Sequence, residues 1–382
     1  VRLNDLIAET DLEVQRAKFK DSYHATIDRA KPSLPGSDTE QNTQKPLRDE
    51  LMIPDPKIIQ VGYRTLDRQY LIADSRMIHS PSSLWHGRIP NQIFTIEQHA
   101  HYPKSGPALA FSSLIPDKDS FNNRGGRVLP MLQPDGTANL SSGLLEALNE
   151  RLGPGIAAED VTYYLAAVCG HPGFTEQFDA ELRTPGVRVP LTAERTLWDR
   201  AVEIGRYVIW LHTYGERGAH PDGATDIRSS AIPIEQPSYD VPVGRDMPSA
   251  VEYDATAQTL RFGAGTWSHV TKRVRDYMVG GSNIIDSWTG YRRANPRGRR
   301  SSPLDDIKVS SWPTEWSIEL TELLSVITQL VALEPEQQSL LEAILDEPTI
   351  STNELSLAGV QWPTTRNERK PRLPQDGQLF DI

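Results

Sequence analysis

The chain has 382 residues, 38% of them apolar and 24% charged, a mix that supports a packed core and excludes wholesale disorder. A single cysteine, Cys169, excludes an internal disulfide framework and a Cys-rich zinc module. The net charge of −11, taken alone, argues against a polyanionic partner.

The first residues mix charge and leucine without an apolar h-region, so no secretory signal is expected. No run approaches the ~18 apolar residues of a membrane span, and a cytoplasmic protein without a membrane partner is the simplest reading. Leu12, Phe19, Tyr23, Ile27 and Ala30 fall on one stripe and predict a helical lead-in to about Ala30. Residues 31–45, with two prolines and mostly small or polar side chains, read as a linker. From Lys57 the short runs KIIQVGYR, RQYLIAD, NQIFTIEQ and ALAFSSLI, rich in Ile, Val, Tyr and Phe between turn residues, predict strands. That β-rich part ends near RVLPML, and a short helix, GLLEALNERL, stops at Gly153.

The middle is helical. Ala157 to Cys169 carries Val161, Leu165 and Val168 on one face, with Gly170 expected as a left-handed stop. Phe174 to Leu182 predicts a second short helix. Leu197, Ala201, Ile204, Val208 and Leu211 mark a long one from about Ala193 to Tyr214, ended by Gly215. After a loop-rich stretch, VEYDATAQTLRFG reads as a hairpin. A helix from Thr314 to Leu333 follows, then a separate short one at EQQSLLEAIL, and beyond Asp346 a polar tail.

Charge is unevenly distributed. Between Arg261 and Ser302 stand nine Lys/Arg against Asp276 and Asp286, a local +7 that leaves −18 on the rest. Such polarity can orient a polyanion, and it equally describes a solvated basic loop in an acidic protein. The heart of the block, YRRANPRGRRSSP, has no apolar periodicity and reads as an exposed loop. Its Arg292, Arg293, Arg297, Arg299 and Arg300 suit phosphates or guanine edges, flanked by Lys272, Arg273 and Arg275. The stretch Phe121 to Arg127, with Asn122, Asn123 and Arg124 beside Gly125 and Gly126, forms a second candidate. Amides can read adenine bidentately and glycines permit close approach, although an Asn/Gly turn between strands explains the same residues.

Catalytic signatures are missing. There is no G-x-x-x-x-G-K-[ST] phosphate cradle and no G-x-S-x-G elbow. Glu97, His99 and His101 share one strand face but lack a further ligand group, so no metal site is expected. Pro54-Asp55 and Pro116-Asp117 lack the acid-x-Lys partner that a Mg²⁺-dependent nuclease needs. The only Asn-Pro, Asn295-Pro296, continues with Arg297 rather than the Pro-aromatic pair that holds a flipped adenine. The glycines of RFGAGTW follow a hairpin and do not open a βαβ unit. Cys169, after an apolar helical run, reads as a buried, inert thiol.

Several segments in order resemble the C-terminal specificity (target-recognition) domain of Type ISP restriction–modification enzymes. They are VGYRTLDRQYLIADSR (Val61 to Arg76), Leu84-Trp85, SGPALAFSSLIPD, FNNRGGRVLPML, YYLAAVCGHPGFTEQF, RVPLTAERTLWDRAVEIGRYVIWLH, VEYD and VRDYMVGGSNIIDSWTGYR. The resemblance covers about Pro46 to Leu345. Thr65-Leu66 departs from the family's Pro-Phe, and the YRRANPRGRR expansion is particular to this chain.

The resemblance implies a mixed α+β (α/β) fold: a β-rich part at 46–152, a helical part at 153–217, and a hairpin, basic loop and closing helix at 218–346. Residues 1–45 then form a lead-in and linker, and 347–382 a tail. It also implies sequence-specific binding of double-stranded DNA, as the specificity module of an adenine methyltransferase and nuclease system of phage defence in bacteria. Methyltransferase and translocase domains would be partners in cis or as a separate subunit. S-adenosylmethionine, ATP and Mg²⁺ would belong to them, with no catalytic residue or cofactor in this chain. The start at Val1 suits a truncated product, a split gene or a non-ATG start. The competing expectation is a catalytically silent interaction subunit of a defence complex. Arg64, Asp67, Asp74 and Arg76 look like an internal ion-pair network, because isolated buried charges are costly.

Overall fold

The structure, a computed structural model, describes residues 8–18, 27–35, 43–50, 56–78, 82–99, 101–117, 119–121, 126–295 and 309–373. Helix α1 (Leu12–Lys18) is followed by a bend at Ile27–Arg29, where the lead-in stripe predicted helix; Phe19 and Tyr23 lie outside the described residues. Two-residue strands β1 (Lys31–Pro32) and β2 (Thr43–Gln44) pair inside the expected linker.

The β-rich half forms where the runs rich in Ile, Val, Tyr and Phe predict strands. Strands β3 (Ile58–Arg64) and β4 (Asp67–Ile72) make an antiparallel hairpin, turned through Leu66 at φ 59°. Strands β5 (Phe94–Gln98), β6 (Leu109–Ser112) and β7 (Gly126–Pro130) form a three-stranded sheet with β5 central, each pairing antiparallel. Every residue of β5 is buried, the pattern of a strand covered on both faces.

Helix α2 (Leu144–Leu152) ends at Gly153, φ 96°. Helix α3 (Ala158–Cys169) ends at Gly170, which is not left-handed (φ −85°); there a Cβ would strike the Ala166 carbonyl, so glycine serves close approach instead. The predicted Phe174 helix is two pieces, α4 (Pro172–Gln177) and α5 (Asp179–Leu182), meeting at Phe178. Helix α6 (Arg195–His212) packs along α3, with Trp198 stacked on Tyr164 at 4.6 Å. A second sheet, in order β8-β11-β10-β9, contains β8 (Ser238–Val241), β9 (Val251–Asp254), β10 (Thr259–Phe262) and β11 (Gly265–Ser268); the expected hairpin is its β9–β10 pair. Helix α7 (Lys272–Arg275), the small pair β12 (Met278–Val279) and β13 (Ser282–Asn283), and α8 (Ile284–Gly290) follow.

Where two helices were expected near the end, one runs unbroken as α9 (Thr314–Asp346), with Pro335 inside it. A helix-interior proline removes a hydrogen bond. Here Leu330 and Leu333 before it and Leu340, Leu341 and Ile344 after it are all buried, so tertiary packing keeps the axis continuous. This helix is long and apolar enough to cross a membrane, yet 67% of its most apolar stretch is buried within the protein. It packs against α3, α4, α6, α7 and β8. Its buried amides are satisfied: Tyr207 Oη donates to Gln329 Oε1 at 2.5 Å, and Gln337 Nε2 donates to the Ala167 carbonyl at 3.0 Å. Residues expected as polar tail also join the core. Helix α10 (Thr352–Leu357) buries Leu355, and Ile350 and Val360 flank it.

Cys169 is fully buried, and burial pushes its thiol pKa up, as an inert core thiol requires. His171 and His212 are buried too, and burial lowers each pKa to about 4. Both are therefore neutral in the fold and have an ordinary pKa of about 6.5 when unfolded. Their contribution is complete above that value and is lost as pH falls toward 4. Denaturant unfolding at about pH 5 is expected to show roughly 2 kcal/mol lost per histidine relative to neutral pH. His212→Phe, which fills similar volume beside Phe111, should flatten the acid limb by its share; an unchanged limb would refute the assignment.

Candidate nucleic-acid interface

Arg292, at the root of the basic loop, is turned inward, against the expectation that it faces solvent. The helix that delivers it explains why. Trp288 lies one turn earlier on the buried face of α8, and the Arg292 guanidinium sits 4.0 Å from the centre of that ring. It forks onto Asp67 of β4, Nη2 to Oδ1 at 2.7 Å and Nη1 to Oδ2 at 3.2 Å, with both side chains 2% exposed. The Trp288 carbonyl accepts at 3.3 Å, and Glu319 of α9 lies at 3.5 Å. Burial raises the Glu319 pKa, and Arg292 works against that rise. Arg292 thus ties the β3–β4 turn, α8 and α9 together and is no phosphate contact.

The other framework charges are paired as expected, but in separate groups. Arg76 binds Asp74 at 2.7 Å, Glu50 at 3.2 Å and the Lys45 carbonyl. Arg64 donates to Tyr291 Oη at 3.3 Å and lies 3.9 Å from Asp117. Arg68 pairs with Glu322 at 2.8 Å beneath the Tyr214 ring.

Of the remaining candidates, Arg293 is partly exposed and donates to the Asn295 carbonyl. Lys272 pairs with Asp276, Arg273 with Glu334, and Arg275 with Asp286. The first two are 73% and 70% exposed, and such surface pairs exchange partners at little cost. Arg297, Arg299, Arg300, Asn122, Asn123 and Arg124 lie outside the described residues. Glu97 is buried against Arg127 at 2.6 Å, with His99 3.5 Å away. His101 does not join them, and among the described residues no three such side chains gather to hold a metal.

A large cleft, of about 2540 Å³, opens on the β-rich half. The β3–β4 hairpin, β7, the segment 138–146 and two stretches of the C-terminal chain, Gln361 to Thr364 and Glu368 to Arg372, line it. The residues that flank both candidate loops open onto it: Asp119, Gly126 and Arg127 around the Asn/Gly segment, and Tyr291 before the arginine loop. Tyr70, 67% exposed, and Trp362, 40% exposed, offer rings within it. Sequence reasoning singled out neither ring, whereas Arg127 belongs to the Asn/Gly candidate stretch. An outward aromatic on β4, whose neighbours alternate inward, was the available signal for Tyr70.

The family model for the Type ISP C-terminal specificity domain matches residues 1–323. The chain belongs to that family. Its fold is similar to a cryo-EM DrdV–DNA complex, with 15% identity and a TM-score of 0.56 over 92% of this chain and 33% of that one. It is also similar to the ATP-dependent Type ISP restriction–modification enzyme LlaBIII bound to DNA, with 14% identity and a TM-score of 0.54 over 89% of this chain and 21% of that one. At these identities the likeness is one of fold, and the specificity-domain chain spans a fifth to a third of the length of those two proteins. No curated protein matches it.

Proposed function

We propose that this specificity domain recognises a DNA target for a Type ISP-like adenine methyltransferase and nuclease system. The observation that carries the reading is that both candidate recognition loops spring from residues lining one large cleft in a chain of this family. Arg293, Arg297, Arg299 and Arg300 supply phosphate contacts, with Asn122, Asn123 and Arg124 at base edges. Lys272, Arg273 and Arg275 line no part of the cleft and serve as an accessory basic surface. Methyltransferase and translocase domains, in cis or as a separate subunit, bring S-adenosylmethionine, ATP and Mg²⁺. This chain alone neither methylates nor cuts, for it lacks an Asn-Pro-Pro-aromatic segment, a cofactor turn and a nuclease triad. Its setting is the bacterial cytoplasm, in defence against phage.

The test is a salt titration of duplex binding. Each phosphate contact contributes about −0.9 to the log–log slope. Replacing Arg293, Arg297, Arg299 and Arg300 by Gln is expected to flatten the slope by roughly 3–4 units with stability unchanged. Equal slopes and affinities for parent and variant would remove the loop from the interface and favour a protein partner for it.

A further inference from the structure

The sequence match to the family ends at residue 323, but the cleft does not. One of its margins is built by Gln361 to Thr364 and Glu368 to Arg372, beyond that match, while Thr365, Arg366 and Asn367 form the turn between those two stretches and do not line it. Between Arg366 and Arg372 this segment carries Arg366, Arg369, Lys370 and Arg372 against one carboxylate, Glu368, in a chain of net charge −11.

The segment is held in place at both ends. Val360 is buried behind the turn at Gly359 (φ 92°), and Gln361 N–H donates to the Ser142 carbonyl at 2.9 Å in an antiparallel bridge. The Trp362 indole donates to Ser356 Oγ at 2.9 Å, leaving its ring partly open to the cleft. Glu368 closes the turn at Thr364 and Thr365 by accepting their backbone N–H groups at 2.7 and 3.0 Å. That use of the one carboxylate keeps it occupied with backbone rather than with the neighbouring cations. Arg369 is spent on the Pro363 carbonyl, and Arg372 on the Ala138 carbonyl at 3.0 Å, while its backbone N–H meets Gln133. Two of the four cations therefore brace the strap. The other two, Arg366 and Lys370, are exposed and make no ion pair among the described residues.

Two exposed cations without an ion pair among the described residues, Lys370 lining the cleft and Arg366 in the turn beside it, stand on a braced backbone near the Trp362 ring, and such a group fits a sugar–phosphate backbone better than a neutral or basic partner. We infer that the strap 361–372 is a second phosphate-gripping edge of the cleft, in which Arg366 and Lys370 contact the backbone of duplex DNA while the loop side addresses the bases. The inference rests on the DNA-recognition reading above. Acidic groups also face the cleft, Asp117, Asp119 and Glu146 among them, so the grip is local to the strap and does not extend over the whole wall.

The experiment uses the full chain and mixed-sequence duplex DNA, since backbone contacts carry no sequence information. Arg366→Gln/Lys370→Gln is expected to flatten the salt dependence by about 1.8 units, two contacts' worth. Arg366→Glu/Lys370→Glu is expected to weaken binding further. Acylation of Lys370 by an amine reagent should be suppressed when duplex is bound. If the parent binds and the arginine-loop variant loses slope, while the strap variant keeps the parent's slope or Lys370 stays fully reactive, the strap is overturned and the DNA-recognition reading stands. If the parent binds no duplex even at low salt, both fall. Thermal unfolding of the strap variants should match the parent, because the bracing residues Arg369 and Arg372 are untouched.

Discussion

Arg292→Ala is expected to destabilise the protein by about 3–5 kcal/mol, the range for removing one partner of a buried ion pair. The cost is large because Asp67, 2% exposed, would be left as an uncompensated buried charge, and Trp288 and Trp316 would lose the guanidinium that sits against them. Arg293→Ala, one residue on and partly exposed, should stay within about 0.5 kcal/mol. Urea unfolding of the two variants makes the comparison. Removing both charges with Asp67→Leu/Arg292→Met should restore much of the loss, since apolar replacements of buried pairs are often neutral. A cost under about 1 kcal/mol for Arg292→Ala would mean that water reaches Asp67 and that the pair is peripheral. The consequence for function is indirect. The pair fixes the root of the arginine loop to the hairpin that lines the cleft, so a variant that folds at low temperature should bind duplex more weakly without a change in salt slope.

The misreading of Arg292 shows where local pattern stops being informative. Five arginines in nine residues read as one solvated loop, and for Arg293 that reading agrees with the structure. What singles out Arg292 is a carboxylate 225 residues away. A local hint existed: Ile284, Ile285, Trp288 and Arg292 continue one helical face, so the arginine stands where an apolar residue was due. The strands were legible because β-branched and aromatic runs between turn residues are a local signal, and the α6 stripe because burial on one side imposes period 3.6. The α3 stripe was a poorer guide: Val161 and Leu165 are half-buried on the cleft, while Tyr163, Tyr164, Ala166 and Ala167 are buried, because the helix is covered nearly all round. The unbroken α9 was not legible, since Pro335 signals a break and only the buried leucines on both sides override it. The same limit hid the strap. Its polar composition reads as a tail, and only its backbone bridge to Ser142 and its bracing by Arg372 place it on the cleft.

Gly205→Ala is expected to cost at least about 2–3 kcal/mol, although alanine is the better helix former by about 1 kcal/mol. Gly205 lies where α6 crosses α3, in a contact that the fully buried Ala166, Ala167 and Ala201 keep thin. A Cβ there would stand 1.8 Å from the Tyr163 carbonyl oxygen, 2.4 Å from its carbon and 2.9 Å from its Cα. All three are backbone atoms of a packed helix, so no rotamer change relieves the overlap. The helices must separate, and the Trp198–Tyr164 stack and the Tyr207–Gln329 hydrogen bond would have to shift with them. Gly173 provides the control. Its added Cβ would come within 1.9 Å of Gln338 Oε1, nominally as severe. That atom is the end of a half-buried side chain whose amide nitrogen donates to Glu342, one turn on, and it can swing away, while the His171 ring, with Cε1 3.1 Å from the added Cβ, need give by only a few tenths of an ångström. Gly173→Ala should therefore change stability by less than about 1 kcal/mol. Equal losses for the two variants would show that added volume, not the rigidity of what it meets, sets the cost. A much larger loss at Gly205 would show that the α3–α6 backbone contact is one the helical core cannot relax.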